Sequence, residues 1–134
     1  MMTEKKQLTN EEQQAWIREQ YLVATKYLAD KGLVTDSVVT QESRYLVPLL
    51  AVWKLKLLDG SFVWTISGDL PSDHIKGEIA ETGRDSLRHF ALKWQLQAEN
   101  LLQDKGNTQE TFANLLISRS EGLYELYENE NLWK

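Results

Sequence analysis

The sequence predicts an α+β domain: a small antiparallel sheet built on a central β-hairpin, about 45–57 and 61–67, with three or so helices packed on it. Three observations carry this. Asp59-Gly60 stands between two β-rich runs, the strongest short-range hairpin signal. Three other stretches repeat apolar residues at three- and four-residue spacing, the period of an amphipathic helix. The length, 134 residues, is near the commonest domain size, and 42% apolar with 26% charged residues is ordinary for one core. The reading is a single domain over 1–134, with residues 1–8 a disordered or frayed N-terminus.

The first helix is expected over about 9–31. Thr9 and Glu12 form a capping box, and Trp16, Ile17, Tyr21 (or Gln20), Ala24, Tyr27 and Leu28 make its stripe. Gly32 followed by Leu33 fits a glycine C-cap with its hydrophobic contact. Residues 33–44 read as a loop with an edge strand in question, because Asp36, Ser37, Gln41, Glu42 and Ser43 dilute the apolar signal.

If Asp59-Gly60 is a two-residue turn, Leu58 pairs with Ser61, Leu57 with Phe62, Leu55 with Trp64 and Trp53 with Ile66. Paired residues share a face, so Trp53, Leu55, Leu57, Phe62, Trp64 and Ile66 point one way. Lys54, Lys56, Val63 and Thr65 point the other. Upstream, Leu46 to Val52 is apolar at nearly every position, which predicts cover on both faces there. Pro48 cannot donate to a ladder and belongs at a strand start or an edge.

Ser72 is expected to cap a helix running from Asp73 to about Leu102, broken or kinked near Gly77 or Gly83. Its stripe is Leu87, Phe90, Ala91, Trp94, Ala98, Leu101 and Leu102. Asn107 with Glu110 reads as the capping box of the last helix, whose stripe is Phe112, Leu115, Leu116, Leu123, Leu126 and Tyr127. The simplest closure lays the helices over one side of the sheet, in two layers.

Composition excludes several functions. With no cysteine, disulfides, thiol nucleophiles and Cys-based zinc sites are ruled out. A net charge of −5 with scattered basic residues argues against nucleic-acid binding. No apolar run approaches the roughly 20 residues of a membrane span, and no secretory signal opens the chain, so no membrane role and a cytoplasmic location are expected. Five tryptophans imply either an aromatic core or a surface meant to be covered.

The strongest polar constellation is Ser67, Asp69, Ser72, Asp73 and His74, after the second hairpin strand. Asp69, Asp73 and His74, with Glu78 one turn on, are residue types that ligate a divalent metal. The blander reading, and the favoured one, makes them turn and cap residues, since no metal-loop spacing is present. His89 four residues after Asp85 has the form of a carboxylate-oriented base, though a solvated helix histidine explains it as well. Arg84 and Arg88 could clamp an anion, but Glu81 and Asp85 beside them favour a salt-bridged face. Arg44 is a further lone candidate. No nucleophile elbow and no glycine-rich nucleotide motif occurs, so no catalytic residue and no cofactor is assigned. Leu132 and Trp133, beyond the last helix, either seal the core or present a docking tip, with sealing preferred.

Three segments, Glu42–Pro48, Trp64–Asp73 and Leu87–Gln95, resemble an uncharacterised bacterial domain-of-unknown-function family of short cytosolic proteins. The likeness runs from about Trp16 to Leu102. It implies a stand-alone bacterial cytosolic protein and supplies no activity, cofactor or site residue. Two functional expectations follow. The preferred one is an interaction or accessory protein that uses an aromatic surface to bind a protein partner or a second copy of itself. The alternative is a small-molecule or anion binder, or an enzyme, built from the 67–74 loop with Arg84, Arg88 or His89.

Overall fold

The computed structural model describes residues 8–104 and 109–134. Helix α1 (Asn10–Asp30) opens with the expected capping box: the Glu12 amide donates to Thr9 Oγ1 and the Thr9 amide to Glu12 Oε1. It closes at Gly32 in the expected way, with the Leu33 amide returning to the Leu28 carbonyl at 2.9 Å.

Five strands follow: β1 (Thr35–Val38), β2 (Arg44–Leu46), β3 (Leu50–Leu57), β4 (Phe62–Gly68) and β5 (Asp73–Lys76). All pairings are antiparallel, in the order β1-β3-β4-β5, with β2 sharing the β1 edge of β3. Residues 33–44 therefore do contain an edge strand. Pro48 sits in the turn between β2 and β3, after a cis peptide bond. Gly68 ends β4 with φ +134°, and a Cβ there would collide with the Leu49 carbonyl and Leu50 Cα, so only glycine fits against the start of β3.

The hairpin register differs from the expectation by one residue. Lys56 pairs with Phe62, Leu55 with Val63, Lys54 with Trp64, Trp53 with Thr65 and Val52 with Ile66. The cause is the turn. Leu58, Asp59 and Gly60 form a three-residue loop, with the Leu57 amide bonded to the Ser61 carbonyl and Gly60 at φ +90°. The Asp59 carboxylate locks this loop by accepting from the Ser61 amide and hydroxyl. One extra loop residue sends Trp64 and Ile66 to the face opposite Trp53 and Leu55.

The second correction concerns residues 73–82. Asp73–Lys76 is strand β5 rather than the start of a helix, followed by a 3-10 turn over Gly77–Ile79. Ser72 is thus no helix cap. Thr82 is, accepting from the Asp85 amide, and α2 spans Gly83–Gln103. Helix α3 spans Glu110–Glu128, and a 3-10 turn over Glu130–Trp133 ends the chain. The Asn107 cap falls outside the described residues.

These two changes replace two layers by three, while the α+β class stands. Ala24 and Leu28 of α1 pack on Ala51, Trp53, Leu55, Leu57 and Val63. Leu50, Val52, Trp64, Ile66 and Ile75 face the other way, onto Leu87, Phe90 and Trp94 of α2 and Leu116 and Leu123 of α3. The sheet is a central layer with one helix on one side and two on the other.

Candidate functional site

The polar residues past β4 divide into two groups. Asp73 is the hub of the first. Its carboxylate accepts from Lys93 Nζ at 2.8 Å, from Trp94 Nε1 at 2.8 Å and from the His74 amide at 2.8 Å. The Tyr27 hydroxyl lies 3.3 Å from Asp73 Oδ1 and 2.9 Å from His74 Nδ1. Tyr27 belongs to α1 and Lys93 to α2, so the cluster ties the two outer layers together around the β5 edge. Burial, with the Asp73 charge next, raises the Tyr27 pKa. Burial, followed by Lys93, lowers that of His74 although Asp73 opposes it.

The cluster has a clear structural chemistry. β5 is an edge strand, and its outward backbone groups would template another strand. The His74 amide is occupied by Asp73, and the His74 carbonyl accepts from Lys93 Nζ at 3.1 Å. The ion pair therefore closes the edge at its middle.

Asp69 stands apart from this hub, with 4.0 Å between its carboxylate and Arg119 of α3. Ser67 points to the α1 layer, where its hydroxyl accepts from Trp53 Nε1 at 3.1 Å. Arg84 donates to the Tyr127 carbonyl and stacks over the Tyr127 ring, with the Trp133 ring 6.0 Å away. Arg88 binds Asp85 on the surface, and His89 lies 3.5 Å from the same carboxylate. Arg44 closes its own loop by donating to the Gln41 and Ser43 carbonyls. The 67–74 loop is thus not joined by Arg84, Arg88 or His89 in one pocket. Among the described residues no group of three or more His, Asp and Glu side chains could hold a metal ion.

Trp133 turns back onto the core, its Nε1 donating to the Leu126 carbonyl at 3.0 Å. Leu132 beside it remains 39% exposed.

A half-buried aromatic surface lies elsewhere. Tyr21 of α1 and Tyr45 of β2 flank the Trp53 ring at 5.4 and 4.9 Å between centroids. With Ile17, Leu22 and Val38 they line an open hollow of about 430 Å³ whose walls are almost wholly carbon. Leu22 on its rim is 66% exposed. Periodicity alone places Tyr21 in the buried stripe of α1, and no local signal sets Tyr45 beside it. A second apolar patch, Leu92, Leu96 and Tyr124, lies on the outer side of α2 and α3.

The domain-of-unknown-function family DUF4826 matches residues 10–133. The chain belongs to that family. The match reaches from the first turn of α1 to Trp133 and so takes in the edge cluster and the hollow alike. No curated protein and no solved structure matches the chain. No helix among the described residues is long and apolar enough to cross a membrane.

Proposed function

We propose that this DUF4826 protein is a small interaction or accessory protein that docks a partner protein in the aromatic hollow between α1 and the β1–β2 edge. The bacterial, cytosolic setting implied by the resemblance is part of this proposal. The observation that supports it is the hollow itself: Trp53 floors it, Tyr21 and Tyr45 wall it, and Leu22 stands exposed at its rim. Rigid aromatics around a small apolar depression are the usual receptors for one anchoring side chain of a partner. The partner is expected to present a large aliphatic or aromatic residue there.

Affinity capture from the native host, comparing wild type with Leu22→Asp and Leu96→Asp, tests the reading. Both leucines are exposed, so neither change should unfold the chain. Loss of a stoichiometric partner in Leu22→Asp alone is the expected result. Equal recovery with both variants sinks the assignment of the hollow. Concentration-dependent self-association that only Leu22→Asp abolishes makes the occupant a second copy instead.

A further inference from the structure

Between the turn at Leu49, the β4–β5 loop at Asp69 and helix α3 lies a cavity of about 480 Å³. This is within the range of small-ligand sites. Leu49, Leu50, Leu70 and Leu123 give it apolar walls. α3 faces it with Arg119, Gly122 and Leu126, spaced three or four apart and hence on one side of the helix, and the C-cap Asn129 follows them.

Gly122 is the unusual member. Helix interiors disfavour glycine, and here neither backbone nor packing requires one. Its φ is not positive, and a Cβ at this position would meet nothing within 4 Å. What the missing side chain does is leave the floor of the cavity bare.

Arg119 stands at one end of the cavity beside the exposed Asp69 carboxylate, and Glu125 at the other. Arg119 spends its Nε on the Asp69 carbonyl at 3.0 Å. Its terminal nitrogens make no hydrogen bond among the described residues, and the Asp69 carboxylate is 4.0 Å away and 81% exposed. Glu125 and Asn129 lie toward the C-terminal end of α3, where the helix dipole favours cations. Six residues from Arg119 to Glu125 rise about 9 Å along the axis. A free amino acid carries its charges too close together for that span, whereas the termini of a short peptide fit it.

We propose that this cleft binds a zwitterionic di- or tripeptide with aliphatic side chains. Its carboxylate meets the terminal nitrogens of Arg119, its ammonium meets Glu125 and the helix end, and its body lies over Gly122. This is a different site from the aromatic hollow and stands or falls independently of it.

The test is calorimetric titration of the protein with the dipeptide Leu-Leu, its N-acetyl form and its C-terminal amide. Saturable binding of the free dipeptide is expected, weakened about tenfold or more by either blocking group and by Arg119→Gln. Because Arg119→Gln also frees the Asp69 loop, Gly122→Ala is the second variant. It should fold at least as well as wild type and lose the dipeptide. No binding at millimolar dipeptide overturns the proposal, as does unchanged affinity in Gly122→Ala. Acetyl-Leu-Leu binding as tightly as Leu-Leu would also overturn it, by pointing to protein C-termini rather than free peptides.

Discussion

The two faces of the sheet are covered to different degrees. Four strands in register, β1-β3-β4-β5, span about 14 Å between outer strand axes at roughly 4.8 Å per step. Two helices side by side, each about 10 Å across, can cover that width, and one cannot. The α2–α3 face is accordingly closed over Trp64, Ile66, Phe90 and Trp94, all at most 1% exposed. On the α1 face both margins remain open. One is the aromatic hollow at the β1–β2 edge. The other is a cleft of about 700 Å³ reaching Leu33, Val63, His74 and Lys76. The α1 face also carries buried polar atoms, Gln20 Oε1 and Thr65 Oγ1, that have no hydrogen-bond partner among the described residues. The α2–α3 face holds the larger core and opens beside α3, at the Arg119 cleft, whereas the α1 face opens at both margins.

That contrast can be broken or sharpened by mutation. The largest effect is expected from Trp64→Ala, in the closed face. Trp64 is fully buried with its Nε1 bonded to the Ala80 carbonyl, so the loss should be about 3–5 kcal/mol in denaturant unfolding. Leu28→Ala beneath α1 should cost about 2–3 kcal/mol, at the low end for buried leucines because the thinner layer can settle. A cost equal to that of Trp64→Ala would remove the distinction between the faces.

Changes of opposite sign come next. Thr65→Val removes an unpaired buried hydroxyl and should stabilise by about 1 kcal/mol. Gly122→Ala should stabilise by about 0.5–1 kcal/mol, since nothing in the folded state opposes the methyl group. Lys93→Ala should leave the fold intact but uncover the His74 carbonyl. Light scattering should then show association growing with concentration; a strictly monomeric variant would contradict the edge-closing role of the ion pair.

The smallest effect is a pH dependence. The folded-state pKa of His74 lies below its ordinary value, so the unfolded chain binds the proton more readily. The stability this represents is complete above about pH 6.5, the ordinary histidine value, and is lost as pH falls through the lower folded pKa. His74→Gln should flatten the unfolding free energy between about pH 7 and 5 relative to wild type. An unchanged slope would assign the dependence to other groups.

Much of the fold was legible because its signals are local. Thr9 with Glu12, and Gly32 before Leu33, mark α1 within a few residues of its ends. The stripe Leu87, Phe90, Ala91, Trp94 and Ala98 reports the buried side of α2. The hairpin was legible in place but not in register. Asp-Gly suits both two- and three-residue loops, and the Asp59 bond to Ser61 that selects the longer one is seen only in the folded turn. Ser72-Asp73 read as a cap because Asp at a helix start and Asp closing a strand edge look alike in sequence. The candidate residues fared likewise. Asp73 and His74 do meet, yet their partners Tyr27 and Lys93 lie 46 and 20 residues from Asp73, beyond any local pattern.

By itself, then, the sequence determined that the chain would make helices and an antiparallel hairpin around a cysteine-free aromatic core. Caps, turn residues and apolar periods act over a few residues and need no partner from elsewhere. Only the tertiary structure decided that Trp53 and Trp64 face opposite layers, that Asp73 closes an edge, and which margins of the sheet stay open. Each depends on side chains far apart in sequence packing at one place, with one loop residue more or less enough to exchange the faces.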